Sequence, residues 1–237
     1  IQIASLPQSN PQLAGLDIDG MSIPALEVGG DYFDYLNGSP NQLTVIVGDV
    51  SGKGTSAALY MSKIQGILRT LHSFDPFPRK LFISANKLLC NDLEKQAFIT
   101  AIGGYFETNN NRLYFARAGH LPLFHYRAEL QAVDLLEPSG IGLGLNISGA
   151  FDKHLEEQKI QYKVGDIFLF ITDGVTESQG KTGEEFGEER VEELLLQHSD
   201  KTAATIREEL VTAFRAFSEE DYLHDDATVV VVKIVEE

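Results

Sequence analysis

The sequence predicts an α+β domain whose strands and helices are layered rather than alternated. Two observations carry this. Strand-like runs follow one another as hairpins, and the helical stretches come in pairs, which favours antiparallel sheets over a doubly wound parallel one. A third, the absence of any linker-like stretch in 237 residues, points to a single domain over residues 1–237. The first residue is Ile rather than Met, so the domain is expected to be the C-terminal part of a longer protein, with parts missing upstream.

The elements follow in order. After a loop rich in Pro, Asn and Gln, residues 16–36 read as two strands broken at Gly29-Gly30, and 43–48 (LTVIVG) as a buried strand. GDVSGKG then turns into a helix with a stripe of Ala58, Leu59, Met61, Ile64, Ile67, Leu68 and Leu71. Pro76 and Pro78 end it, and a second helix shows Leu81, Phe82, Ala85, Leu88 and Leu89 on one face. FITAIGGYFE and RLYFARAGH flank the turn TNNN as a hairpin. PLFHYR with LQAVDLL, and KIQYKV with DIFLFIT, are expected as two further pairs, with the glycine-rich PSGIGLGL loop between them. Two helices, near 188–198 and 201–217, precede the closing strand ATVVVVKIV.

Composition narrows the function classes. A formal charge of −16 disfavours general binding to nucleic-acid backbones or anionic membranes. The single cysteine, Cys90, excludes an intrachain disulfide and suits a cytoplasmic protein. No apolar run is long enough for a membrane span, and the first residues lack the pattern of a signal peptide.

Four segments place an aspartate at the edge of a strand-like run: ALEVGGDYF, VIVGDVSGKG, LFITDGV and HDDATVVVV. The candidates are Asp31, Asp49, Asp173 and either Asp225 or Asp226. Side chains alternate across a strand, so one of Asp225 and Asp226, and one of Asp31 and Asp34, should face a shared cluster. A lone aspartate of this kind serves most often as a turn former or helix cap. Repetition at three strand edges, with a fourth acid from GGD, favours ligation instead. Carboxylates gathered from distant strands repel one another unless cations hold them. Hard oxygen ligands select magnesium, manganese or calcium, and the Val50 carbonyl lies in a bend able to join them. The pattern points to metal-assisted chemistry on a phosphorylated substrate.

Other chemistries fit poorly. The sixth residue after Cys90 is not the arginine that a tyrosine-phosphatase loop needs, and no G-x-S-x-G elbow occurs. The six histidines lack the pairing of a zinc protease helix. His120, in ARAGHLP, reads as a loop or core histidine. GGDYF has Tyr32 where the diguanylate cyclase signature has an acid. Gly48 stands one residue too close to Gly52-Lys53 for a nucleotide-binding P-loop.

The ordered series VGGDYFD, GDVSGKGTSAALYM, FITAIGGYF, FARAGHLPL, GIGLGL, GDIFLFITDGVTES, FGEERV and DDATVVVV resembles the SpoIIE-type phosphatases over about residues 5–234. These form a bacterial branch of the metal-dependent Ser/Thr protein phosphatases, the protein phosphatase 2C (PP2C) group. The resemblance implies a four-layer αββα sandwich with two central antiparallel sheets flanked by helix pairs. It also implies a binuclear Mn2+ or Mg2+ centre. By motif match, Asp49 bridges the ions, the Val50 carbonyl binds one of them, and Asp173, Asp225 and Asp31 complete the shells. Asp49 and Asp173 are then the acids on which catalysis depends. A water activated between two ions would attack phosphorus in line, with the serine oxygen leaving and no phosphoenzyme formed.

Two departures from the wider group stand out. Asp49-Val50-Ser51 replaces an Asp-Gly-His of eukaryotic relatives, so their proposed proton donor is missing, and no phosphate-gripping arginine can be placed. Metal-bound water is then the first candidate to protonate the leaving serine and His120 the second. The implied partners are a phosphorylated anti-sigma-factor antagonist in a partner-switching pathway and an upstream sensory domain, with homodimerisation among the expected associations. The helix after GDVSGKG is expected either to switch metal affinity by moving Asp49 or to serve as an ordinary core helix.

Overall fold

A computed structural model describes residues 2–90, 93, 97–145, 149–218 and 223–236. A short N-terminal turn of helix, α1 (Gln2–Ser5), leads into strands β1 (Leu16–Ile23), β2 (Tyr32–Ser39) and β3 (Gln42–Val50). Helices α2 (Thr55–His72) and α3 (Pro78–Leu89) follow, then β4 (Ile99–Glu107), β5 (Arg112–Ala118), β6 (Leu123–Arg127) and β7 (Ala132–Leu136). After the one-turn helix α4 (Phe151–His154) come β8 (Glu157–Gln161), β9 (Ile167–Ile171) and a second single turn, α5 (Asp173–Thr176). Helices α6 (Gly187–Gln197) and α7 (Ala203–Ser218) and strand β10 (Ala227–Ile234) complete the chain.

The strands form two five-stranded antiparallel sheets, ordered β1-β10-β9-β6-β7 and β2-β3-β4-β5-β8. Their central strands are apolar on both faces, and the period of two divides each strand between two cores. Val230 and Val232 of β10 meet Leu43, Val45 and Val47 of β3 between the sheets. Val229 and Val231 point the other way, against Val191, Leu195, Ile206, Leu210 and Phe214 of α6 and α7. Ile46 and Val50 of β3 pack under Met61, Ile64 and Leu68 of α2 and Phe82 and Ala85 of α3. The result is the expected αββα sandwich.

Three local expectations need correction. KIQYKV and DIFLFIT do not pair: β8 lies beside β5, whereas β9 lies between β10 and β6 in the other sheet. Their burial explains the separation. All five residues of β9 are buried, as a central strand demands, while β8 is exposed along most of its length and forms an edge. Pro78 begins α3 rather than ending a helix, since its missing N–H is harmless at the first helical position. Leu59 and Leu88 fall outside their helices' buried faces and are exposed.

Candidate metal centre

The four acidic segments meet at one end of the sandwich, two from each sheet. Asp31 immediately precedes β2 and Asp49 is the penultimate residue of β3, both in one sheet. Asp173 follows β9 as the first residue of α5, and Asp225 and Asp226 precede β10, in the other sheet. Asp49 and Asp173 stand where a buried strand stops and the chain bends away, and Asp31 and Asp225 where one begins.

Asp31 is buried between the sheets. Its Oδ2 accepts hydrogen bonds from the Thr172 hydroxyl at 2.7 Å and the Thr228 hydroxyl at 2.6 Å. Its Oδ1 is buried with no hydrogen-bond partner. Burial and the Asp49 charge raise its carboxyl well above the usual range, while the two hydroxyls act against them. Gly30 lets this loop come close, since a Cβ there would lie 2.8 Å from the Val50 carbonyl oxygen and 3.3 Å from Asp49 Oδ1.

Asp49 is pushed up to about 7, first by burial, then by Asp173, Asp225 and Asp226. Asp173 is also raised, by burial and then by Asp225. Mutual repulsion of this kind marks a carboxylate set that lacks its counter-charge. As they stand, no three His, Cys, Asp or Glu side chains among the described residues close around a single point as a finished cage. Two of the acids open onto a cleft: Asp225 lines a cavity of about 120 Å³ and Asp173 one of about 160 Å³. An orphaned buried oxygen, an all-oxygen donor set and uncompensated negative charge together fit hard divalent cations.

The sequence alternatives separate on physical grounds. Asp226 is buried, and both of its oxygens are engaged: Oδ1 accepts from the Ala25 N–H at 2.7 Å and Oδ2 from the Gly30 N–H at 2.6 Å. It holds the Gly29-Gly30 loop in place. The Asp225 side chain is partly exposed and meets Lys53 Nζ at 2.9 Å. Asp34 faces away from the cluster, toward α2, where Arg69 grips it through Nε at 2.6 Å and Nη2 at 3.1 Å. The Tyr32 hydroxyl also donates to it at 2.9 Å.

His120 sits beside the cleft but is buried, and both ring nitrogens are occupied. Nε2 donates to the Ile171 carbonyl at 3.0 Å, which leaves Nδ1 to accept from the Thr100 hydroxyl at 2.8 Å. Burial lowers its pKa to about 4, so it is neutral at physiological pH. Sequence reasoning missed Thr172, Thr228, Lys53 and Glu177. All four lie inside the quoted motifs, yet nothing in a linear pattern shows that hydroxyls from two segments converge on a third. Glu177 lines both small cavities, and its pKa is raised by burial and then by Asp173.

Two antiparallel sheets between helix pairs, with acids from both sheets at one end, are the arrangement expected of a protein phosphatase 2C-like domain. The family model described as Stage II sporulation protein E (SpoIIE) matches residues 39–235, and the chain belongs to that family. It is 28% identical over 237 residues to "Phosphoserine phosphatase RsbU" of Bacillus subtilis (strain 168), covering 98% of this chain and 68% of that protein. The structure of the PP2C phosphatase domain with a fragment of the regulatory domain of SpoIIE from Bacillus subtilis superposes with a TM-score of 0.79 at 17% identity. That match covers 94% of this chain and 64% of the other. The catalytic domain of the serine/threonine phosphatase PstP, in complex with two manganese ions, gives a TM-score of 0.64 at 16% identity over 93% of this chain and 99% of that one. At these identities the structural likeness is one of fold.

Proposed function

We propose that the domain is a metal-dependent protein-serine/threonine phosphatase whose two Mn2+ or Mg2+ ions are held by Asp31, Asp49, the Val50 carbonyl, Asp173 and Asp225. The observation that carries this reading is the convergence of acids from both sheets with their charge uncompensated, centred on the partnerless Asp31 Oδ1 and the elevated Asp49. When bound, two divalent ions would supply the positive charge that makes a water acidic and offsets the phosphoryl oxygens.

The chain's own residues have distinct parts. Thr172 and Thr228 orient Asp31 by binding one oxygen and leaving the other for a cation. Asp226 fixes the Gly29-Gly30 backbone that carries Asp31. His120, neutral and fully hydrogen-bonded, braces β4 against the end of β9 and has no proton to spare at neutral pH. The proton for the departing serine is therefore assigned to solvent in the cleft.

The substrate is read as a phosphoserine or phosphothreonine on a protein, specifically an anti-sigma-factor antagonist of a partner-switching pathway. Support comes from 28% identity to a protein named phosphoserine phosphatase. An upstream sensory domain is proposed with it: this chain spans 68% of RsbU and 64% of the SpoIIE chain. No helix among the described residues is long and apolar enough to cross a membrane; a cytoplasmic location is proposed with the pathway.

The test is phosphate release from a phosphoserine protein and from p-nitrophenyl phosphate, with manganese, magnesium or a chelator. Activity should need the metal and disappear in Asp49→Asn and Asp173→Asn. Hydrolysis that survives the chelator, or turnover like the wild type in both variants, refutes the reading.

A further inference from the structure

A dianionic phosphoryl group has to approach a cluster of carboxylates on a chain of net charge −16. Beyond the charge that bound cations would supply, a positive side chain at the cleft would help to meet it. Four arginines are tied down elsewhere: Arg69 on Asp34, Arg117 on Glu137, Arg127 on Asp134 and Arg207 on Asp19. Lys53 is placed differently. It stands three residues beyond Val50, between Gly52 and Gly54, whose φ values of +96° and +73° lie in the left-handed region. Nothing lies within 4 Å of where a Cβ would sit on either glycine, so both serve the turn and not close packing. The turn throws the lysine side chain back across the cleft. Its Nζ lies 2.9 Å from Asp225 Oδ2 and donates to the His224 carbonyl at 2.6 Å. Lys53 lines the 120 Å³ cavity together with Glu177 and Asp225, and its charge also reaches Asp173.

Resting on the phosphatase reading, we propose that Lys53 is the phosphate-binding cation of the site, the group that receives the substrate's phosphoryl oxygens. Half of its side chain is exposed. Exposed ammonium–carboxylate pairs are weak and exchange readily. A divalent cation competes for Asp225 with twice the charge and a stronger preference for oxygen. That competition frees the ammonium, with three donors on a flexible stem, at the mouth of the cleft. The lysine takes the place of the phosphate-gripping arginine that the sequence does not supply, and without metal it screens Asp225.

The proposal predicts opposite effects on two ligands. In Lys53→Met, manganese should bind as tightly as in the wild type or up to a few-fold tighter, because a competitor for Asp225 is gone. Inorganic phosphate should bind and inhibit about tenfold more weakly, as expected for one lost charge-assisted bond. The KM for p-nitrophenyl phosphate should rise by a similar factor with a smaller change in kcat. Lys53→Arg should recover at least half of the lost phosphate affinity. Calorimetric titration with manganese, then with phosphate in saturating manganese, measures both affinities without turnover. Phosphate affinity like the wild type in Lys53→Met overturns the proposal. So does a loss of phosphate affinity that merely follows a loss of manganese affinity, or the absence of recovery with arginine. Should the wild-type protein prove inactive on phosphoserine, the phosphatase reading fails while the binding measurements still decide the role of Lys53.

Discussion

The substitution Asp226→Asn separates two adjacent aspartates that the linear sequence leaves equivalent. Asp226 accepts two backbone N–H groups, from Ala25 and Gly30, at 2.7 and 2.6 Å in a buried setting. A hydrogen bond to a charged group contributes about 1.5–3 kcal/mol. The asparagine side chain would keep one acceptor oxygen and turn an NH2 donor toward the second N–H, a loss of about 2–3 kcal/mol. Removing a negative charge from the cluster works the other way. Asp226 ranks behind burial, Asp173 and Asp225 in its effect on Asp49, so that relief is about 1 kcal/mol. The hydrogen-bond loss therefore wins, and Asp226→Asn should be less stable by about 1–2 kcal/mol in urea denaturation with chelator present. Asp225→Asn breaks a half-exposed pair with Lys53 and keeps an oxygen for the Asp226 N–H, so its metal-free stability should stay within about 1 kcal/mol of the wild type. Its manganese affinity should fall at least about tenfold, equivalent to about 1.4 kcal/mol, and further than that of Asp226→Asn. The reasoning fails if Asp226→Asn is as stable as the wild type. It fails equally if Asp226→Asn is the variant that stops binding manganese while Asp225→Asn binds it normally.

Three other outcomes are expected. Without metal, the Asp49 carboxyl holds its proton up to about pH 7 in the folded state, whereas an unfolded aspartate releases it near pH 4. This stabilisation is complete below the lower value and is lost as pH rises through the upper one, for at most about 4 kcal/mol. Tm in chelator should therefore decline between about pH 4 and 7 and recover with manganese; a flat metal-free profile would contradict the assignment. Arg69→Met strands the buried Asp34 carboxylate with the Tyr32 hydroxyl and the Tyr35 N–H, and should lower stability by about 2–4 kcal/mol. Its manganese affinity, by calorimetry, should change less than twofold. A Cβ on Gly174 would lie 2.0 Å from the Asp226 carbonyl oxygen, so Gly174→Ala has to push α5 away from the start of β10. It should lose about 3 kcal/mol or more on denaturation and bind manganese more weakly; a melting curve like that of the wild type would exclude the clash.

What could be read from the sequence was whatever is local. An aspartate at the edge of a buried run marks a sheet rim, and four such segments pointed to acids meeting at one end of the fold. The odd spacing of Asp31 and Asp34 foretold opposite faces, and Asp34 does turn away, toward Arg69. Pairing over distance was less legible. KIQYKV and DIFLFIT look like hairpin partners because only a short turn separates them, yet burial sends one to an edge and the other to the centre of a different sheet. The parts of Thr172 and Thr228 were hidden for a related reason. A threonine beside an aspartate reads as a cap, and only the assembled sandwich shows both hydroxyls on a carboxylate more than fifty residues from either.

Because each leaf of the sandwich contributes two of the proposed carboxylate ligands, charge rather than apolar packing governs how firmly that end closes. Ionised and bare, the carboxylates press the leaves apart there, while the valine and phenylalanine layer farther in keeps them together. A pair of cations would work as a rivet through both leaves. Hydrogen exchange at the tips of β2, β3, β9 and β10 should then slow in concert on adding manganese, even though no one of these strands carries all the ligands.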